Sequence, residues 1–493
     1  MDDAPATDCL DRRRACVLLH LTSLPGGGPC GDLGPEAYNF VSFLADCGVT
    51  VWQMLPVGPP QIGDSPYQTS SAHAGSPRLI GLEPLAEAGW IAGELPADLS
   101  DASKRALLLD AYKGFQRSAT DQDRAALDAF CEAQRFWLED YALYRAIHEE
   151  RERPWWEWPK GLRDRDGRSL GQARRRLAKQ LGYIRFEQFL FFRQWDALRA
   201  YANARGVRLF GDMPIFVAHD SAEVWARPGD FDLNADGSCR VVAGVPPDYF
   251  SATGQRWGNP LYRWDQLKKN GFRFWLDRMR TQLRLFDMIR IDHFRGFEAY
   301  WEVPAEEDTA LNGSWVKAEG DALFAQLKQE LGTLPLIAED LGVITDEVDA
   351  LRRKYRMPGM KVLQFAFEGG PDNPYLPFHH SRDSVTYTGT HDNDTTLGWY
   401  EALDAGLRAH VDDYLGHSQE PMPWPMIRAA LASRADLAVV PMQDLMGLGG
   451  AHRMNRPGVA IGNWQWRFQW DELDDALPAR FAHLVALYGR RPG

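Results

Sequence analysis

Eight short apolar runs, each switching abruptly to charged or Gly-rich residues, recur along this chain of 493 residues: ACVLLHL, VTVWQMLPV, VRLFGDMPIF, FDMIRIDHF, LPLIAED, MKVLQFAF, SVTYTGTH and LAVVPMQDL. This is how an inner barrel strand emerges into a functional loop. Most of the gaps hold helix-like stretches, among them one ending near Cys47, 266–285 and 344–355. Such alternation predicts parallel strands, and eight of them close a (β/α)8 TIM barrel. YWEVP, near 300, stands outside that count as a local hairpin or rim strand.

The interval 85–205 breaks the alternation. Long helical stretches such as DRAALDAFCEAQRFWLEDYALYRAIHEE predict a large, mainly helical subdomain inserted between the second and third strands of a single barrel domain spanning 1–493. Within it, Trp155, Trp156 and Trp158 read as packing between inserted helices in preference to a sugar-stacking platform. The Pro/Gly-rich stretch 56–68 reads as a loop rather than a linker.

Hydrophobic residues at 45% and charged residues at 25% fit a soluble globular chain, and a net charge of −13 argues against nucleic-acid or anionic-membrane partners. The arginine clusters 12–14 and 174–176 read as solvated surface. Cys9, Cys16, Cys30, Cys47, Cys131 and Cys239 lack metal-type spacing and read as cytosolic thiols. RRRACVLLHL imitates a signal peptide, yet its apolar run is short, contains His20 and leads to a Pro-Gly turn, so it reads as the first strand. No stretch approaches the roughly 18 apolar residues of a membrane helix. The expected location is cytoplasmic.

Three acids lie at strand ends: Asp292 in MIRIDHFRG, Glu339 in LIAEDLG and Asp392 in VTYTGTHDNDTTLG. In a strand, alternate side chains share a face, so Arg290 and Asp292 point together into the barrel mouth. A guanidinium there lowers the aspartate's pKa and keeps it ionised, as a carboxylate nucleophile requires, unless the two form only a structural ion pair. Asp340 beside Glu339 is expected to help raise the glutamate's pKa, which suits a general acid; a helix cap or a bond to a backbone amide is the plainer alternative. THDNDT is suited to orienting sugar hydroxyls or to bonding itself, and lacks the spaced acids of a calcium loop. The segment 244–260 mixes Gly244, Gly254 and Gly258 with Tyr249, Phe250 and Trp257, the makings of an aromatic active-site lid, with a permanently packed loop as the alternative.

At these motifs the chain resembles the 4-α-glucanotransferases (amylomaltases, or disproportionating enzymes) of glycoside hydrolase family 77 in the α-amylase clan. The likeness extends through SPYQTSSAHAGSPRLI, GDMPIFVAHDSAEVWARP, RIDHFRG, AEDLG, GTHDNDT, RMNRPG and NWQWR. It implies Asp292 as nucleophile, Glu339 as acid/base and Asp392 as stabiliser of the transition state. It also implies Arg290, His293 and His391 lining the cleavage subsite, with Asp212 and Trp257 contacting neighbouring glucose units. Asp248, Tyr67 and Asn463 complete the implied substrate ligands. No cofactor and no metal are expected. The substrates would be α-1,4-glucans and maltooligosaccharides, with glucose or maltooligosaccharides as acceptors, through a retaining mechanism whose carboxyl groups stand about 5 to 5.5 Å apart.

Ala74-Gly75-Ser76-Pro77, Pro457-Gly458-Val459 and Ala252 depart from the family pattern and bear on acceptor preference and the hydrolysis-to-transfer ratio. The shorter, barrel-only form of the family fits. A plain α-glucan hydrolase and a catalytically dead glucan sensor are the competing readings; the intact acidic trio argues against the second.

Overall fold

The structure, a computed structural model, describes residues 12–247, 251–459 and 461–491. Its strands, in chain order, are β1 (Arg14–Leu18), β2 (Val51–Gln53), β3 (Arg208–Met213), β4 (Val241–Val245), β5 (Gln255–Pro260), β6 (Met288–Ile291), β7 (Ala299–Pro304), β8 (Ser314–Lys317), β9 (Leu336–Ala338), β10 (Gly359–Val362), β11 (Ser384–Tyr387) and β12 (Leu437–Pro441). Eight of them form one sheet in the order β10-β11-β12-β1-β2-β3-β6-β9, every pairing parallel. The Ala338 amide then donates to the Pro358 carbonyl at 2.9 Å, joining β9 to the chain entering β10 and bringing the sheet round to a barrel. These eight strands are the eight apolar runs of the sequence.

Period-two alternation explains the barrel's filling. Cys16, Leu18, Val385, Tyr387, Leu437 and Val439 form one interior cluster, while the intervening Ala15, Val17, Ala438 and Val440 pack outward against the helices. Burying each larger aliphatic side chain contributes roughly 1.5–3 kcal/mol.

β7, the YWEVP run, belongs to a second, antiparallel sheet ordered β5-β4-β7-β8. Much of the segment read as a lid loop is therefore strand: β4 and β5 form a hairpin with Gly244 opposite Arg256 and Val245 opposite Gln255. Asp248, Tyr249 and Phe250 lie outside the described residues.

Between β2 and β3 the chain is mainly helical, from Glu83–Glu87 through Asp101–Ser118, Asp121–Ala133 and Arg135–Arg151 to the 27-residue helix Ala178–Ala204. Ser100, Thr120 and Asp166 each accept a first-turn backbone amide, a cap worth about 1 kcal/mol. The long helix grips the loop after β2 through Gln188 and Gln194, whose side-chain amides exchange paired hydrogen bonds with the Gly75 and Gly81 backbones. Only glycine fits at 75, since a Cβ there would stand 2.0 Å from the Phe191 ring. Trp155 and Trp158 are buried and Trp156 stacks on His219 at 3.8 Å, so this cluster is packing.

The arginine run 12–14 departs from the expected solvated surface. Arg14 is buried in β1, and Arg13 donates to the Ser433 and Leu431 carbonyls at 2.7 and 2.8 Å. Carbonyls at the ends of helices need donors, and a guanidinium supplies several at once. Arg174, Arg175 and Arg176 are exposed at the end of their helix. Cys16, Cys30, Cys47, Cys131 and Cys239 are free thiols. Among the described residues no helix is long and apolar enough to cross a membrane.

Candidate active site

The polar cluster begins where the interior face of the strands runs out of apolar residues. Asp212 on β3 and Arg290 on β6 are register partners, so their side chains lie side by side, and Arg290 Nη1 donates to Asp212 Oδ2 at 2.6 Å. The same nitrogen is 3.1 Å from Asp292 Oδ1, just past the end of β6. Asp292 keeps 29% of its side chain open to the cleft. Contrary to expectation, its pKa is raised from the ordinary value: burial among the cleft walls is the largest cause, Arg290 opposes it and Asp392 adds to it. The guanidinium thus offsets part of the penalty on the charged carboxylate without depressing its pKa below the usual range, because burial outweighs it.

Glu339 follows β9, the neighbour of β6. Its Oε2 accepts the His293 amide at 2.6 Å and its Oε1 the Leu341 amide at 3.2 Å, so the backbone-amide contact named as the plainer alternative does form. Burial, the dominant cause, still pushes Glu339 up to about 7; Arg290 and the His293 amide pull it down, and Asp292 raises it. Asp340 is only the last of these causes. Its carboxylate accepts the Met360 amide at 2.7 Å and pairs with Arg352 at 3.3 Å, because adjacent residues of an extended segment face opposite ways.

Asp392 lies in the turn beyond β11 with 45% of its side chain exposed. Its neighbour His391 is buried, and burial lowers its pKa, which keeps the ring neutral. Tyr67, from the loop after β2, donates to Asp212 Oδ2 at 2.8 Å and contacts His391 Nε2 at 2.7 Å. The phenol has one proton, so His391 Nε2–H is the donor of the second bond. His391 Nε2 also lies 3.4 Å from Asp392 Oδ2. Tyr67 therefore links Asp212 on one side of the mouth to His391 and Asp392 on the other. His293, with φ of 52°, turns the chain sharply after β6; its ring meets Trp257 of β5 edge-on at 4.8 Å. Burial lowers the His293 pKa to about 4, so this ring too is neutral.

Two candidate ligands occupy different positions from those the resemblance implied. Asp212 is fully enclosed and meets Tyr67 and Arg290, so it supports those residues instead of facing the cleft. Asn463 spends its side-chain amide within its own loop, accepting the Arg456 amide at 2.9 Å and donating to the Val459 carbonyl at 2.8 Å. Sequence reasoning missed Asn455, which donates to Asp392 Oδ1 at 2.6 Å, and Arg453, which donates to the Asp392 carbonyl at 3.0 Å. It missed Trp464 as well, whose ring packs 5.9 Å from Tyr67 and 6.1 Å from His391. Only their position in RMNRPG and NWQWR, after the last strand, pointed toward the mouth. Among the described residues no group of three or more His, Cys, Asp or Glu is arranged to hold a metal ion.

A parallel barrel that gathers an arginine-paired aspartate, a glutamate poised near neutrality and a third aspartate at its strand ends defines an enzyme of the glycosidic-bond-processing class. The chain belongs to the glycoside hydrolase 77 family, the 4-alpha-glucanotransferases, whose profile matches residues 19–473. It is 50% identical to the 4-alpha-glucanotransferase of Thermus thermophilus over 94% of this chain and 96% of that one, and 47% identical to that of a Synechocystis species over 98% and 99%. Its fold superposes on the amylomaltase from Streptococcus agalactiae in complex with acarbose with a TM-score of 0.94, at 36% identity, covering 98% of this chain and all of the other.

Proposed function

We propose that this chain transfers segments of α-1,4-glucan between maltooligosaccharides by a retaining double displacement. Asp292 attacks the anomeric carbon, and Glu339, protonated up to about pH 7, donates its proton to the departing glucan oxygen. Asp392 and His391 steady the positive charge on the sugar ring at the transition state. Glu339, now ionised, takes the 4-hydroxyl proton of an incoming glucose or maltooligosaccharide. That oxygen displaces Asp292, and the α-1,4 bond re-forms with its configuration retained.

The observation that carries this reading is the pairing, on adjacent strand ends, of a glutamate with its pKa raised to about 7 and an aspartate held by a guanidinium. One group holds a proton while the other is assisted to remain a nucleophile. The aromatic edge of Trp257 against His293 supports a lid role for 244–260, in which closure excludes water and favours transfer over hydrolysis. Residues 1–493 act as one catalytic unit, with 85–205 as an inserted brace for the loop after β2. Action in the cytoplasm on neutral glucans, without cofactor, membrane or nucleic-acid partner, agrees with the net charge of −13.

Pure maltotriose tests the proposal. Transfer yields glucose together with maltotetraose and longer chains; a rise in reducing ends with no product longer than the substrate would identify a hydrolase instead.

A further inference from the structure

The three acids are held in three different ways. Asp292 has a charged partner in Arg290, and Glu339 has two backbone amides, those of His293 and Leu341, at the barrel mouth. Asp392 has neither, standing in a turn beyond the end of β11 with 45% of its side chain exposed, against 29% for Asp292. Thr390 and Asn393 organise that turn: Thr390 donates through its amide and hydroxyl to Asn393 Oδ1, both at 2.8 Å, and its hydroxyl accepts the Asp392 amide at 3.3 Å. None of these bonds touches the Asp392 carboxylate.

The carboxylate's short side-chain hydrogen bond comes from the loop after β12, where Asn455 Nδ2 donates to Oδ1 at 2.6 Å. The same loop also grips the backbone of the turn. Arg453 Nη2 donates to the Asp392 carbonyl at 3.0 Å, Nη1 pairs with Asp394 at 3.6 Å, and Nε donates to the Asn455 carbonyl at 3.2 Å, which fixes Asn455 itself. Trp464 closes the loop by donating its amide to the Met454 carbonyl at 2.7 Å.

Resting on the catalytic reading of Asp392, we propose that Asn455 is its positioning residue. Asn455 occupies Oδ1 and fixes the carboxylate plane, so that Oδ2, beside His391, is the oxygen presented to the sugar. An amide donor also favours the charged form of a carboxylate, whereas a second carboxylate in the same place would favour uptake of a proton. The other titratable or charged groups around Asp392 are Asp292 at the end of β6, Tyr67 after β2, His391 and Asp394 on its own turn, and Arg453 after β12. Asn455→Asp changes none of them.

The test follows kcat and KM for maltotriose against pH in Asn455→Asp, Asn455→Ala and Asp392→Asn. The expected result is a fall in kcat of about 100-fold for Asn455→Asp and about 10-fold for Asn455→Ala, with KM within about 3-fold of the parent. If Asn455→Asp does not fold, Asn455→Ala decides through the same split between kcat and KM. A kcat within about 3-fold of the parent, or a loss borne by KM alone, overturns the inference while a collapsed Asp392→Asn leaves the reading of Asp392 intact. Near-normal activity in Asp392→Asn overturns that reading instead.

Discussion

At the N-terminal end of the strands, Arg490 is fully buried and donates to the Arg14, Leu431, Ser433 and Ala435 carbonyls, with Arg13 beside it on Leu431 and Ser433. At the C-terminal end one guanidinium, Arg290, serves both Asp212 and Asp292, and buried atoms such as Asp212 Oδ1 and His293 Nε2 lack a donor or acceptor among the described residues. Donors are used fully at the closed end, which binds the last helix and the first strand into the barrel. They are scarcer at the open end, where burial raises the pKa of Asp212, Asp292 and Glu339 and neutral histidines line the mouth. Stability and chemistry are thus divided between the two ends of the same strands.

The sharpest attempt to break this division is Asp292→Asn. Turnover of maltotriose should fall by several orders of magnitude, while the melting temperature stays within a few degrees of the parent. Near-normal turnover would mean that another acid is the nucleophile.

The proton on Glu339 gives the next largest effect. With its pKa raised to about 7, the group is a competent acid below that pH and loses its proton as pH rises through it, so the basic limb of kcat/KM should lie near pH 7. The stability sign agrees. A carboxyl whose folded pKa exceeds its unfolded value binds more protons when folded, so stability falls between about pH 4.5 and pH 7. Glu339→Gln should therefore gain thermal stability over the parent as pH is raised from 5 to 8. A constant difference in melting temperature would contradict the raised pKa.

At the other end the consequences reverse. Arg490→Met strands several carbonyls and should cost about 3–5 kcal/mol in denaturant unfolding, with the activity per folded molecule unchanged within about 2-fold. A comparable loss in kcat would show that the two ends are coupled. The smallest effect is expected at the lid: Trp257→Ala should raise the hydrolytic share of maltotriose products by a few-fold, and an unchanged ratio would remove the water-excluding role.

The barrel was legible because its strands bury both faces and so read as continuous apolar runs, and the polar residues ending them marked the mouth. β5 and β8 escaped notice for the opposite reason: QRWGNP contains a glycine and a proline, and SWVK is four residues on an exposed rim. Asp292 and Glu339 stood out at strand ends, and Asp340 does help raise the Glu339 pKa as expected, though as the last of its causes, because the alternation that pairs Arg290 with Asp292 turns Asp340 away. Beyond the place of Asn455 in RMNRPG, the partners of Asn455, Arg13 and Arg490 had no readable signal, since what they meet is a carboxylate distant in sequence or a set of backbone carbonyls. Neither kind of partner leaves a pattern of spacing or charge.

The most direct test of the account is the mass of Glu339→Gln after exposure to a maltooligosaccharyl fluoride blocked at its terminal 4-hydroxyl. Fluoride leaves without an acid, and without Glu339 as base the glycosyl-enzyme should persist. The account predicts a single added glycosyl unit on the peptide that carries Asp292; an adduct on any other residue, or inverted free sugar with no adduct, would contradict it.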